Sequence, residues 1–315
     1  MDDNDLAVRV TGLQKRYGEK RAVDGLDLTV ARGEIVAVLG PNGAGKTTTV
    51  EILEGYRRRD GGDVRVLGVD PQTAGREWRS RIGIVLQSSN DLAEATVSEL
   101  VHHFARYYPA PRDPDEVIDA VGLREKARTR TRQLSGGQRR RLDVALGIVG
   151  RPELLFLDEP TTGFDPEARH AFWDLIAGLR DGGTTIVLTT HYLEEAEHLA
   201  DRVAVVRSGH VVAVDTPADL GGRSARQAVV RWTEGGAHRQ QQTDAPTALV
   251  SALAARLGGD AGGEVPGLQV VRPTLEDVYL SLIADDEAGA PAALATRSAA
   301  PAAAEPALVT TEVAR

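Results

Sequence analysis

The sequence predicts an α/β fold built around a parallel β-sheet. Three short runs, residues 35–39, 154–157 and 185–189, are apolar almost throughout, as expected of strands covered on both faces. Helical patterns lie between them, most clearly over residues 167–180. Strands that alternate with helices are typical of parallel sheets, because parallel neighbours need a long crossover connection.

Composition limits the classes of protein to which the chain can belong. Its 315 residues are enough for about two domains, and 42% hydrophobic residues can form a sizeable core. With no cysteine, disulfides and thiolate metal sites are excluded. Apolar runs of about five residues are far too short to span a bilayer, and the acidic N-terminus does not resemble a signal peptide. We therefore expect a cytoplasmic protein, and the net charge of −9 argues weakly against nucleic-acid binding.

The predicted elements begin with an antiparallel layer. Alternating patterns at residues 6–10 and 26–30 indicate half-buried strands. The buried strand at 35–39, a glycine-rich turn and a helix over 46–53 follow. Residues 88–142 differ, because charged helical patterns at 94–108 and 114–121 indicate a helical subdomain inserted into the α/β core.

Later segments complete the predicted organisation. A helix is expected over about 139–149, and a hairpin joins 203–206 to 211–214 through Ser208 and Gly209. The first domain is placed at 1–220. A small α+β domain, with a strand, helix, strand, helix pattern, is placed at 221–284. The remainder, 285–315, is rich in Ala and Pro and is expected to be disordered, because it cannot bury enough apolar surface.

A phosphate-binding loop is the strongest motif. Residues 40–47 fit the pattern G-x-x-x-x-G-K-[ST], between a buried strand and a helix. Glycines let successive N–H groups point at phosphate oxygens, and the helix adds its N-terminal dipole. Lys46 supplies a cation to the outer phosphates, Thr47 a hydroxyl ligand for Mg²⁺, and Thr48 a contact to an inner phosphate. The loop residues predicted to bind nucleotide are Gly40, Pro41, Asn42, Gly43, Ala44, Gly45, Lys46, Thr47 and Thr48.

Two carboxylates end the second buried strand. In enzymes with such a loop, the first carboxylate, here Asp158, holds Mg²⁺. The adjacent Glu159 can act as a general base on the attacking water. A simple turn after the strand is the alternative explanation, and the phosphate loop in the same chain weighs against it.

A second anion-binding pattern precedes these carboxylates. Ser135, Gly136, Gly137 and Gln138 form a hydroxyl and glycine turn at a predicted helix start. An ordinary glycine-rich helix cap would have the same composition. If the first loop holds the phosphates, the second can serve a nucleotide bound to another copy.

Together these motifs resemble the ATP-binding subunit of an ABC transporter over roughly residues 6–220. Residues 40–48 match Walker A, 134–138 the signature motif and 154–158 Walker B. Gln87 matches the Q-loop, His191 the switch histidine and Tyr17 the aromatic residue that stacks on adenine. Phe164 replaces the commoner Leu in the D-loop, 163–165. The resemblance implies a P-loop NTPase core of the RecA-like type.

The same resemblance implies how the protein works. Two ATP-binding subunits form a head-to-tail dimer, with ATP between Walker A of one copy and the signature motif of the other. Gln87 contacts Mg²⁺ and the attacking water, and His191 orients Glu159 toward the γ-phosphate. An integral membrane permease is the second partner, which places the subunit on the cytoplasmic side of the cell membrane. ATP and Mg²⁺ are the implied cofactors.

The subgroup is suggested by weaker similarities. Residues 139–143, 189–197 and 273–280 resemble the daunorubicin-type exporter ATPases, which implies efflux of a small hydrophobic compound. The alternative is a soluble ABC ATPase acting in translation or on DNA. Such proteins usually carry two ATPase units or long coiled coils, and this chain shows one set of motifs.

Overall fold

A computed structural model describes residues 5–85, 94–225, 227–258 and 264–284. The chain divides into two compact units, Met1–Gly221 and Gly222–Arg315. Within the described ranges, no helix combines the length and the apolar character needed to cross a membrane. The predicted tail and Gln87 lie outside the described residues.

The first unit contains nine strands and seven α-helices in its described residues. In chain order they are β1 (Leu6–Tyr17), β2 (Lys20–Ala31), β3 (Ile35–Leu39), α1 (Lys46–Leu53), β4 (Gly61–Val66), α2 (Arg76–Arg79), β5 (Ile82–Val85), α3 (Val97–Ala105), α4 (Pro114–Ala120), α5 (Gly136–Ile148), β6 (Leu154–Asp158), α6 (Pro166–Asp181), β7 (Thr185–Thr189), α7 (Leu193–Leu199), β8 (Arg202–Arg207) and β9 (His210–Asp215).

A six-stranded sheet forms the centre of the first unit, in the order β5-β6-β7-β3-β8-β9. All neighbours are parallel except β8 and β9, which form the predicted hairpin. Every residue of β3 and β7 is buried, as their continuous apolar sequences predict. The predicted α/β fold with a parallel sheet is confirmed.

A second sheet of the first unit is antiparallel, in the order β2-β1-β4. The predicted strands lengthen here into β1 and β2. Strand β4 was not predicted, because its sequence GGDVRV has two glycines and little apolar alternation. It is held by backbone pairing with β1, and Val64 and Val66 still enter the core.

Helices α3, α4 and α5 pack against one another in the predicted helical region. Helix α5 begins at Gly136, three residues before the predicted start at 139. Ser135 and Gln138 explain the difference, because they form a capping box that starts the helix within the glycine pair.

In its described residues, the second unit combines a three-stranded sheet with two α-helices. Its elements are β10 (Ala228–Glu234), β11 (Ala237–Thr243), α8 (Pro246–Leu257), β12 (Gln269–Val271) and α9 (Leu275–Ala284). Val230, Trp232, Leu253 and Val265 form its core. The predicted order of strand, helix, strand, helix was wrong by one strand. Strand β11 is polar and largely exposed, so it pairs with β10 through the backbone without an apolar pattern.

Candidate functional site

The phosphate loop connects β3 to α1 and fits closely among its neighbours. A Cβ atom at Gly40 would lie 2.2 Å from the carbonyl oxygen of Val206, and one at Gly45 would lie 2.4 Å from that of Ala22. Gly45 also has a φ of 105°, a conformation that side chains disfavour. Both positions therefore require glycine if the loop is to keep its path.

The turn between β8 and β9 anchors this loop. The N–H of Gly209 donates to the carbonyl of Ala44 at 2.9 Å, and the N–H of Asp24 donates to the carbonyl of Gly209 at 3.0 Å. The phosphate loop is thus connected through Gly209 to strand β2. Sequence reasoning assigned Gly209 only to a hairpin turn.

Helix α1 starts with a positive end directed toward the loop. No side chain caps its first turn and no acidic residue lies there, so its N-terminal amides are available to an anion. Lys46 Nζ donates to the carbonyls of Gly40 at 2.7 Å and Pro41 at 3.1 Å. Burial lowers the pKa of Lys46, and the negative charges of Glu159 and Asp158 partly oppose that shift. Thr47 is exposed.

Asp158 and Glu159 lie at the carboxyl end of β6, where Thr189 of β7 holds both. The Thr189 hydroxyl donates to Asp158 Oδ1. The Glu159 N–H donates to the Thr189 carbonyl at 3.0 Å and approaches its hydroxyl at 3.3 Å. Adjacent parallel strands therefore fix the two carboxylates relative to each other.

His191 faces Glu159. Its Nδ1 lies 3.4 Å from Glu159 Oε1, and its side chain is about half exposed. The ring also lies against Tyr192, with centroids 4.1 Å apart. The segment after β7 thus brings His191 to Glu159, two of the three residues for which sequence predicted catalytic roles. The third, Gln87, lies outside the described residues.

Tyr17 ends β1 and is 41% exposed. Two cations lie over its ring, Arg57 with Cζ at 5.3 Å and Lys15 with Nζ at 5.6 Å from the centroid. Arg57 is itself held by Glu51 of α1, with Nε and Oε2 2.5 Å apart. An exposed aromatic face beside cations suits a planar, electron-rich base next to phosphates.

The signature turn at 135–138 makes its hydrogen bonds largely within itself. Ser135 Oγ accepts from the N–H of Gln138 at 3.3 Å, and the N–H of Ser135 donates to Gln138 Oε1 at 3.1 Å. Ser135 and Gly136 are exposed. The ring of Phe164 lies 3.9 Å from where a Cβ of Gly137 would be, so the predicted D-loop packs beside this turn.

Sheet order explains which predicted residues meet. Strands β6, β7 and β3 are neighbours, so the segments after their carboxyl ends lie side by side at one edge of the sheet. These segments carry Glu159, His191 and the phosphate loop. Ligand sites of open α/β sheets occupy this edge.

Comparison with known proteins agrees with this geometry. The family model for ABC transporters matches residues 23–162. A daunorubicin resistance ATP-binding protein of Streptomyces coeruleorubidus is 42% identical over 308 residues, covering 90% of this chain and 97% of that protein. The chain belongs to the ATP-binding subunits of ABC transporters.

Other relatives of this ABC subunit match about two thirds of the chain. A Nod factor export ATP-binding protein of Ralstonia nicotianae is 43% identical over 217 residues, covering 67% of each chain. The structure of a Clostridium perfringens subunit, described as part of an ABC transporter complex, has a TM-score of 0.61 and 28% identity, covering 68% of this chain and 90% of that one. The predicted P-loop NTPase core is confirmed.

The ABC subunit also has the groups that nucleotide and Mg²⁺ require. The uncapped start of α1 and the ammonium of Lys46 suit phosphates. The Thr47 hydroxyl and the Asp158 carboxylate are oxygen ligands of the type that Mg²⁺ prefers. Mg²⁺ is usually held by one or two protein oxygens together with phosphates and water, and these two residues offer oxygens of that kind.

Sequence reasoning missed two residues that shape the site of the ABC subunit. Thr189 entered only as the end of a strand and the start of the 189–197 resemblance, although its hydroxyl and carbonyl hold Asp158 and Glu159. Arg140 entered only within residues 139–143, as part of the resemblance to daunorubicin-type exporters, although it is 6% exposed and bonds to the backbone around Glu159. A threonine at the end of an otherwise apolar run was a weak sequence signal for the role of Thr189.

Proposed function

We propose that this chain hydrolyses ATP to power efflux of a small hydrophobic, drug-like compound through a separate membrane permease, acting from the cytoplasmic face. Support for the drug-type cargo comes from the length of the similarity. The relative whose match extends over 90% of the chain is named for daunorubicin resistance, whereas the Nod factor export relative matches 67%.

The proposal that the chain hydrolyses ATP rests on one observation: His191 Nδ1 lies 3.4 Å from Glu159 Oε1, beside the phosphate loop. Glu159 accepts a proton from water, the water oxygen bonds to the γ-phosphorus, and the bond from that phosphorus to the bridging oxygen of ADP breaks. His191 orients Glu159, and Lys46 stabilises charge on the outer phosphates. Bound Mg²⁺, with Thr47, Asp158 and Gln87 as proposed ligands, would neutralise phosphate charge.

Two copies of the chain are proposed to share each nucleotide. Ser135 and Gly136 are exposed at the start of α5, where the N-terminal amides favour anions. ATP held by residues 40–48 of one copy would contact residues 135–138 of the other. Binding energy is converted to work because the nucleotide joins two surfaces that separate after hydrolysis.

The hydrolysis step is tested by the Glu159→Gln variant. The amide cannot accept the proton of water, so we expect kcat for ATP to fall about 10²- to 10⁴-fold. Glu125→Gln, which neutralises an exposed acid elsewhere, is the control and should keep the wild-type rate. Phosphate release from purified protein measures both. A Glu159→Gln variant with wild-type turnover would show that another group activates the water.

Transport is tested by coexpressing the chain with candidate permeases, beginning with any membrane protein that is encoded beside its gene. Wild-type protein should copurify with that partner from membranes and lower cellular accumulation of a fluorescent anthracycline, whereas Glu159→Gln should copurify without lowering it. Active ATPase that stays with ribosomes or DNA, and never with membranes, would support the soluble alternative.

A further inference from the structure

We propose that Arg140 is a positioning residue that holds Glu159 in its reactive conformation and connects it to the signature turn of the same copy. This inference rests on the proposed role of Glu159 in hydrolysis. Arg140 belongs to α5, the helix that the signature turn begins.

Two carbonyls on either side of Glu159 accept hydrogen bonds from the Arg140 guanidinium. Nε donates to the carbonyl of Pro160 at 3.0 Å, and Nη2 donates to the carbonyl of Asp158. The side chain is 6% exposed, so water does not compete freely for these donors. The rigid guanidinium therefore bridges the carbonyls of Asp158 and Pro160, with Glu159 between them.

That backbone is in an unfavourable conformation. Glu159 has a φ of 45°, in the left-handed region that residues with a Cβ rarely adopt. Such a conformation persists only where the surroundings fix it. Thr189 fixes the N–H of Glu159, and Arg140 fixes the carbonyls before and after it.

Burying the charge of Arg140 is unfavourable, and nearby carboxylates offset only part of that cost. Burial lowers the pKa of Arg140, while the carboxylates of Asp143, Asp158 and Glu195 act in the opposite direction. Its planar fork has donors spaced for two acceptors, which a lysine ammonium lacks. The contact with both carbonyls therefore depends on the shape of the guanidinium as well as on its charge.

Helix α5 extends this contact to the surface that would meet the partner copy. Ser135 caps the helix, and Phe164 of the predicted D-loop packs beside Gly137. A nucleotide that contacts Ser135 would bind at the start of α5. Arg140 lies further along the same helix, and its guanidinium is hydrogen-bonded to the backbone around Glu159. The structure thus provides a direct route from signature turn to general base within one copy.

The first test compares Arg140→Met with Arg140→Lys by steady-state ATP hydrolysis. Arg140→Met keeps much of the apolar stem but has no donors, so we expect kcat to fall at least tenfold with KM within about twofold of wild type. Arg140→Lys should recover part of kcat. Arg124→Met, which removes an exposed arginine from the same helical region, should match wild type. A kcat within twofold of wild type for Arg140→Met would overturn the inference.

The second test follows backbone order without depending on activity. Hydrogen–deuterium exchange of a peptide covering residues 154–166 should be faster in Arg140→Met than in wild type or Arg124→Met, with peptides from β3 and α1 unchanged. Uniformly faster exchange would show a general loss of stability and contradict the positioning role. If wild-type protein fails to hydrolyse ATP, the proposed function is wrong, and the exchange experiment still tests whether Arg140 orders the backbone around Glu159. If Glu159→Gln is inactive and Arg140→Met exchanges and reacts normally, only the Arg140 inference fails.

Discussion

The side chain of Tyr17 has charged neighbours that suit its proposed role in binding adenine. The ring projects from the end of β1, and Arg57 and Lys15 place positive charge over it. Arg57 follows α1 in the chain, so the phosphate-binding helix and the aromatic ring are connected through one ion-paired arginine. Lys20, which pairs with Tyr17 across the hairpin, has its Nζ 3.9 Å from where a Cβ of Gly43 would be, so a base on the exposed part of Tyr17 would lie near the phosphate loop.

Replacing Tyr17 with Ala should weaken ATP binding, because the stacking surface for adenine is lost. Stacking on an aromatic side chain contributes about 1–3 kcal/mol, so we expect Kd for ATP to rise roughly tenfold. Tyr17→Phe keeps the ring and should stay within about twofold of wild type. Titration with a fluorescent ATP analogue measures both, and equal affinity of the Ala variant would refute adenine stacking on Tyr17.

The C-terminal end of helix α1 buries an acidic side chain where the helix dipole disfavours a negative charge. The residue at its C-cap, Glu54, is 8% exposed and lies where the helix dipole is negative. Burial, together with the charges of Asp158 and Glu51, raises the pKa of Glu54 from 4.5 to about 8. The folded protein therefore holds a proton on Glu54 that the unfolded chain releases at much lower pH.

Stability should consequently decrease as pH rises from about 4.5 to about 8, because over that window the folded state binds more protons at Glu54. Glu54→Gln removes this dependence. We expect the Tm of the variant minus the Tm of wild type to increase between pH 5 and pH 9, as measured by calorimetry of nucleotide-free protein. Glu77→Gln, at an exposed position, is the control. A Tm difference that is constant with pH would mean that Glu54 titrates normally.

At the scale of the whole molecule, the proposed residues that contact one nucleotide are divided between two copies. The phosphate loop, Glu159 and His191 share an edge of the sheet, whereas the signature turn at 135–138 makes hydrogen bonds with itself and has an exposed start. A complete site of the proposed type is therefore formed only when a second chain supplies Ser135 to the first.

Dimerisation should accordingly depend on ATP and on Ser135. In the Glu159→Gln background, ATP should convert the 33.6 kDa chain into a dimer on size exclusion with light scattering. Adding Ser135→Arg should prevent the dimer while leaving ATP binding to residues 40–48 intact, because a large side chain would block the shared surface. Ser251→Arg, at an exposed position on α8, should dimerise normally. A stable dimer of the Ser135→Arg variant would contradict the shared site.

Prediction from sequence succeeded where a pattern is local along the chain. The buried strands β3, β6 and β7 and the glycine-rich loop are recognisable because burial and phosphate binding both constrain consecutive residues. Strands β4 and β11 were not predicted, because backbone hydrogen bonds to a neighbouring strand hold them and their side chains show no clear alternation. The start of α5 was placed too late, because its cap lies within a glycine-rich turn.

The sequence alone determined the α/β fold class, the phosphate loop and the family to which the chain belongs, since each depends on residue type and spacing. Only the tertiary structure decided that Thr189 holds both carboxylates, that Gly209 anchors the loop and that Arg140 spans Glu159. These contacts join residues far apart in the chain. Sheet order and helix packing bring them together, and no local pattern along the chain encodes such proximity.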